Sequence, residues 1–256
     1  MVSTVAVNLK DCPPFASQHR PGLSEADLKQ WNEHYAAGCQ AAAAAQWAPA
    51  AAHFAAAARM DDTFADLLFR QARCALALGE SGVAQEKFKR ARDCDALRFR
   101  CDSRLNEITR QLVNARGDDR VRLVDAERRF AEESADHLPG REFFYEHVHL
   151  TFAGNYLLAR LLADEILPLL PDGIAEQNAA PGPWPTSADC ARRLGRTDWH
   201  EAAAVHSVIS SLQSPPFTGQ IDHRDRLREL EATLQQLSPA LTPAGIAESS
   251  KVCAAA

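Results

Sequence analysis

Apolar and polar positions follow two different periods along this chain, and each switch of period marks a change of element. The opening stretch VSTVAVNL is β-branched and apolar, and it predicts a buried strand over Ser3–Asn8. CPPFASQHRPG follows as a loop, since Pro13, Pro14, Pro21 and Gly22 block regular structure. Ser24 with Asp27 three residues on, and Leu23 just ahead, predicts a helix N-terminus. From Trp31 the apolar spacing becomes helical. Residues 98–115 predict a further helix with Leu105, Ile108 and Leu112 on one buried face, placed to cap what precedes it. Val121–Asp125 alternates and predicts a second strand, and Arg128–Ser134 a short helix. The aromatic loop LPGREFFYEHVH leads into a helix over Thr151–Leu170, with Phe152, Tyr156, Leu157, Leu161 and Ile166 available for its buried face. Residues 172–185 are a linker by composition. Thr186–Leu237 holds two or three amphipathic helices split at SPPFTGQ, and the tail from Ser238 is expected to fray.

The helical stretch is internally similar. With Trp31 as position 1, Gly38, Ala50, Phe54 and Ala57 occupy positions 8, 20, 24 and 27, and Ala72, Ala84, Phe88 and Ala91 recur one 34-residue period later. Gly79 opens the turn between the second pair of helices, and Asp61-Asp62 and Asp95-Ala96 mark the two ends. Small residues at positions 8 and 20 let two antiparallel helices approach, while Phe at 24 fills the gap to the next pair. The pattern resembles the tetratricopeptide repeat family over residues 31–64 and 65–98, although the family's proline at position 32 is absent from both copies. The resemblance implies a groove, lined mainly by the first helix of each pair, that holds a protein or peptide partner. Ala at many positions of residues 36–58 makes that groove shallow and poorly charged.

Composition narrows the class. Hydrophobic residues at 46% and charged residues at 24% support a core and argue against disorder. A net charge of −6, with three Tyr and four Trp, argues against nucleic acid or an anionic membrane surface as the main partner. No apolar run is long enough to span a bilayer, because Leu157–Leu170 contains Arg160, Asp164 and Glu165. The first residues lack the basic and small-residue features of a signal peptide, so a cytoplasmic location is the default expectation. Seven Cys without C-x-x-C spacing predict buried thiols rather than a disulfide framework or a metal site, and no cofactor is expected.

One segment carries candidate chemistry. In Glu146-His147-Val148-His149-Leu150-Thr151-Phe152-Ala153-Gly154 a carboxylate stands three residues before a histidine and just ahead of a helix. This resembles the last motif of SGNH (GDSL-type) hydrolases, written there Asp-x-x-His. The resemblance gives Glu146 the place of the orienting carboxylate and His149 that of the general base. It covers residues 1–30 and about 119–171, with Ser3–Asn8 and Val121–Asp125 similar to late strands of the family's flavodoxin-type parallel sheet. The family's Gly-Asp-Ser nucleophile motif does not occur, and neither does the Asn motif of its oxyanion hole; Asn8 lies in a different context. Both would precede residue 1 in the family's order, so the chain is expected to be a C-terminal part of a longer protein and inert alone. His147 and His149 flank Val148 and point the same way on an extended loop, but no third metal ligand lies near in sequence. The arginines between Arg92 and Arg104 are expected on a solvated face, and Phe143, Phe144 and Tyr145 in the core.

The expected molecule is mainly α-helical. Residues 31–118 form a tetratricopeptide region inserted in an incomplete α/β portion made of 1–30 and 119–171, and 186–256 form a helical extension. Its expected role is a protein-interaction scaffold that is catalytically incomplete by itself. The competing expectation is an SGNH-class esterase or acyltransferase that uses His149 and Glu146 with a nucleophile from upstream.

Overall fold

The computed structural model describes residues 1–117, 121–171 and 184–255; most of the predicted linker, 172–183, lies outside them. The described residues are mainly helical, with a single small parallel sheet. They divide into two compact units, Met1–His149 and Leu150–Ala256.

In the first unit, α1 (Glu25–Ala43), α2 (Trp47–Ala58), α3 (Ala65–Ala77) and α4 (Ser81–Asp93) pack in succession. Ser24 caps α1, its hydroxyl accepting from Asp27 N–H. α1 joins α2, and α3 joins α4, through turns of equal length, so each packed pair runs antiparallel. Both turns need a left-handed residue. The second has Gly79 at φ 78°, while the equivalent place 34 residues earlier is Ala45 at φ 55°. An alanine held there costs about 1 kcal/mol. The small positions do the work expected of them. A Cβ on Gly38 would stand 2.5 Å from the Phe54 ring, so only glycine lets α1 approach α2 this closely. Phe54 is fully buried with Trp31, Ala50, Ala57, Leu67 and Cys74, and Phe88 meets the Phe69 ring at 5.2 Å in the next pair.

The Pro-rich segment after the first strand is ordered against the ends of these helices by two aspartates one period apart. Asp61 Oδ2 accepts from Arg20 N–H and contacts His19 Nδ1 at 2.8 Å. Asp95 accepts from Phe15 N–H at 2.9 Å and from Ala16 N–H at 3.0 Å. α3 has no cap of its own, and Ser17 Oγ accepts from Asp66 N–H instead. Both aspartates are buried, so their charges are balanced by these donors.

β1 (Val2–Ser3) and β2 (Leu123–Val124) pair in parallel, Val2 opposite Leu123. Both are shorter than the predicted strands, and the reason is local. Beyond Thr4 the backbone partners are no longer a strand. Asn106 Oδ1 accepts from Val5 N–H and Asn106 Nδ2 donates to Val5 C=O, so one buried amide replaces a neighbouring chain. Asn8 N–H then donates to His147 C=O and Leu9 N–H to Pro139 C=O.

Asn106 belongs to α5 (Ser103–Arg116), and this corrects the expected facing of that helix. Leu105, Ile108 and Leu112 are 55%, 39% and 65% exposed, because the inward face is committed to the polar contact with Val5. The arginine run is corrected as well: Arg92 and Arg100 are only 2% and 5% exposed. Arg92 donates to Asp93, Glu127 and Ser103, and Arg110 forks onto Asp125 and Glu127, linking α4 and α5 to α6 (Ala126–Glu132). Phe144 is buried and Phe143 meets the Phe130 ring at 5.1 Å, as expected of core.

The second unit holds α7 (Phe152–Ile166), α8 (Ser187–Arg193), α9 (Asp198–Leu212), α10 (His223–Gln236) and α11 (Pro243–Ala255). α7 is capped by Thr151 and ends before Pro168, where a 3-10 turn takes over. Leu157 and Leu161 are buried in it, while Ile166 is exposed. Ala202, Val205 and Leu212 of α9 and Leu230 of α10 form the core. The tail does not fray, since Pro243–Ala255 is helical. No helix among the described residues is long and apolar enough to cross a membrane.

Candidate active site

The loop that carries Glu146 is shaped by backbone bonds at both ends. Phe144 N–H donates to Gly140 C=O, and Tyr145 N–H donates to His149 C=O at 2.9 Å, so residues 145–149 turn back on themselves. Asn8 supports the turn from below: its Nδ2 donates to Glu146 C=O at 2.8 Å, and its Oδ1 accepts from Asp11 N–H at 3.0 Å. Asp11 Oδ2 in turn accepts from Arg141 N–H.

Inside the turn the Glu146 carboxylate is buried and collects donors. Oε1 accepts from His149 N–H at 2.9 Å and contacts His149 Nδ1, and Oε2 accepts from His147 and Val148 N–H and contacts His147 Nδ1. The structure therefore brings together the two residues singled out in the sequence. The His149 side chain is 76% exposed while Nδ1 is engaged, which leaves Nε2 turned outward. A carboxylate on Nδ1 would favour the tautomer with the proton there, in which Nε2 is the acceptor.

His147 was visible in the sequence only as half of a metal pair. Here its ring lies 6.0 Å from that of His149, on the other oxygen of the same carboxylate. Among the described residues no group of three His, Cys, Asp or Glu side chains could hold a metal ion. The His147 ring is wedged edge-on against Phe15 at 5.3 Å and near Phe99 at 6.3 Å. Burial, and to a lesser degree the neighbouring His149 and Arg100, lowers its pKa from 6.5 to about 4.

That shift predicts a pH dependence of stability. Between pH 6.5 and about 4 the unfolded chain binds a proton at His147 that the native state refuses. The stability tied to this residue is complete above pH 6.5 and is lost as the pH falls toward about 4. The Glu146 carboxylate against the ring opposes the shift, so the loss is at most on the order of 2 kcal/mol. The depressed carboxyl groups of Asp61, Asp62 and Asp125 act at lower pH, because their ordinary value is 3.8. Urea unfolding across this window should show the slope in the native sequence and a flatter profile in His147→Gln.

A cleft of about 650 Å³ in the same unit is lined by Val7, Arg92, Arg110, Asp125 and Glu127, among others, and does not include the loop. Its charged groups are mostly paired with one another, so it offers little unspent polarity to a substrate. No protein-family model, curated protein or solved structure matches this chain.

Proposed function

We propose that the first unit is a helical-hairpin scaffold of the tetratricopeptide type that carries the acid–base half of an SGNH-type hydrolase or acyltransferase site. Residues 31–98 supply the scaffold, Glu146 the orienting carboxylate and His149 the base. The observation that carries this reading is the Glu146 carboxylate seated on His149 Nδ1 with the opposite edge of the imidazole in solvent. In this arrangement His149 Nε2 would take a proton from an attacking hydroxyl, and buried Glu146 would stabilise the imidazolium formed. The serine would have to be supplied from outside these 256 residues, which have no Gly-Asp-Ser motif. Protein or peptide binding by the repeat groove is the second part of the proposal. Its support is the register of small and bulky positions and the Tyr35–Asp66–Arg70 cluster that ties the first helices of the two pairs together.

A fluorophosphonate probe tests the half-site directly. The chain alone should take up no label and hydrolyse no p-nitrophenyl ester beyond the rate of its His149→Ala variant. Stoichiometric labelling of a serine within these residues would show a complete site and end the proposal.

A further inference from the structure

We infer that Arg100 is a positioning residue for the Glu146–His149 pair, reaching from the end of the helical hairpins to the segment on which the loop is seated. The inference rests on the acid–base reading proposed above.

Arg100 is buried just beyond α4. One of its nitrogens, Nη1, donates to Asn8 C=O at 3.0 Å and to Cys12 C=O at 2.8 Å. Asn8 is also the residue that holds the loop, through Nδ2 to Glu146 C=O and through its N–H to His147 C=O. Cys12 leads directly to Phe15, whose ring presses on His147. A single guanidinium thus fixes both ends of the turn that supports the two histidines. Behind it, buried Asp95 faces Nη2 at 3.5 Å and accepts from the N–H groups of Phe15, Ala16 and Leu97. Asp95 closes the second hairpin, so the helical region is wired into the loop rather than appended to it.

The fit of Arg100 is not what packing alone would favour. Its Nε and Nη2 are buried and make no hydrogen bond among the described residues. A buried cation with donors left over is costly to keep, although Asp95 opposite it offsets part of that cost. Methionine has no donor for the two carbonyls, whereas lysine keeps a charge and donors on a more flexible stem. The charged and titratable groups around His147 are Glu146, His149 and Arg100, so a lost positive charge and a displaced loop have different signatures there.

The test is nitrogen-15 NMR of the imidazoles in the full chain, at a pH about two units above the ordinary histidine range, where the shifts of Nδ1 and Nε2 report which carries the proton. Arg100→Met should lower the ratio of Nδ1–H to Nε2–H tautomer at His149 by about tenfold, the factor one lost hydrogen bond carries. Arg100→Lys keeps the charge and should give a smaller change in the same direction, and it serves as the reporter should the methionine variant not fold. An unchanged His149 tautomer in the folded Arg100 variants would overturn the inference, even if the His147 midpoint rose from loss of charge alone. Glu146→Gln separates the two levels. If it leaves the His149 tautomer where it was, the acid–base reading itself fails, whatever Arg100 does.

Discussion

Phe54→Ala should destabilise the first unit by about 3–5 kcal/mol, the largest effect expected of any single truncation in the hairpins. Phe54 has no exposed surface and sits where α1, α2 and α3 meet, so its removal leaves a cavity walled by Trp31, Ala50, Leu67 and Cys74. Gly38 makes collapse into that space difficult, because it offers no side chain to fill it. The measurement is urea unfolding followed by fluorescence in a Trp184→Phe, Trp199→Phe background. Only Trp31 and Trp47 then report, and both lie in the first unit. A loss under about 1 kcal/mol would mean that the hairpins do not share one core.

The second large effect is electrostatic. Arg92→Ala should cost about 3–5 kcal/mol, because it strands partners around a guanidinium with no solvent access. Glu127 retains Arg110 and Asp93 retains the Ser103 N–H, so the result should fall toward the lower end. Arg92→Met should recover part of the loss, since an apolar side chain of similar length fills the volume that alanine leaves empty. Equal losses in the two variants would show that the pairing itself, and not the filled volume, holds α4 to α6.

These two residues also show what could be read from the chain. Phe54 and Phe88, Gly38 and Ala72, and Ala50 and Ala84 announce themselves by recurring at one spacing, and all six are buried. A period survives in sequence because packing repeats it. Arg92 and Arg100 gave no such signal. A charge in a helical run is usually solvated, and only partners far along the chain, Glu127 for one and Asn8 for the other, reveal that these are not. The facing of α5 departs from its apolar pattern for a related reason. Its three apolar residues form a regular stripe, yet the helix is oriented by Asn106, which substitutes for a strand beside Val5. Backbone acceptors and donors leave no trace in side-chain periodicity. For the same reason the docking of Phe15–Arg20 on Asp61 and Asp95 was invisible, although both aspartates stood out as the ends of their repeats.

The candidate site was legible as a pair and not as an environment. Glu146 and His149 are three residues apart, so a single tight turn brings them together and sequence spacing suffices to suggest it. His147 required the fold. Its role on the second carboxylate oxygen depends on burial by Phe15, and that residue is placed by the Asp95 contact. The support from Asn8 and Arg100 spans 138 and 92 residues respectively, distances over which no motif operates.

The protonation state of His149 in the unaltered protein bears most directly on all of this. If the buried carboxylate governs the imidazole, nitrogen-15 shifts above the histidine range will show the proton on Nδ1 and a bare Nε2. A ring that carries its proton mainly on Nε2, as free histidine does, would mean that Glu146 does not hold it and that the loop is a structural turn without acid–base purpose.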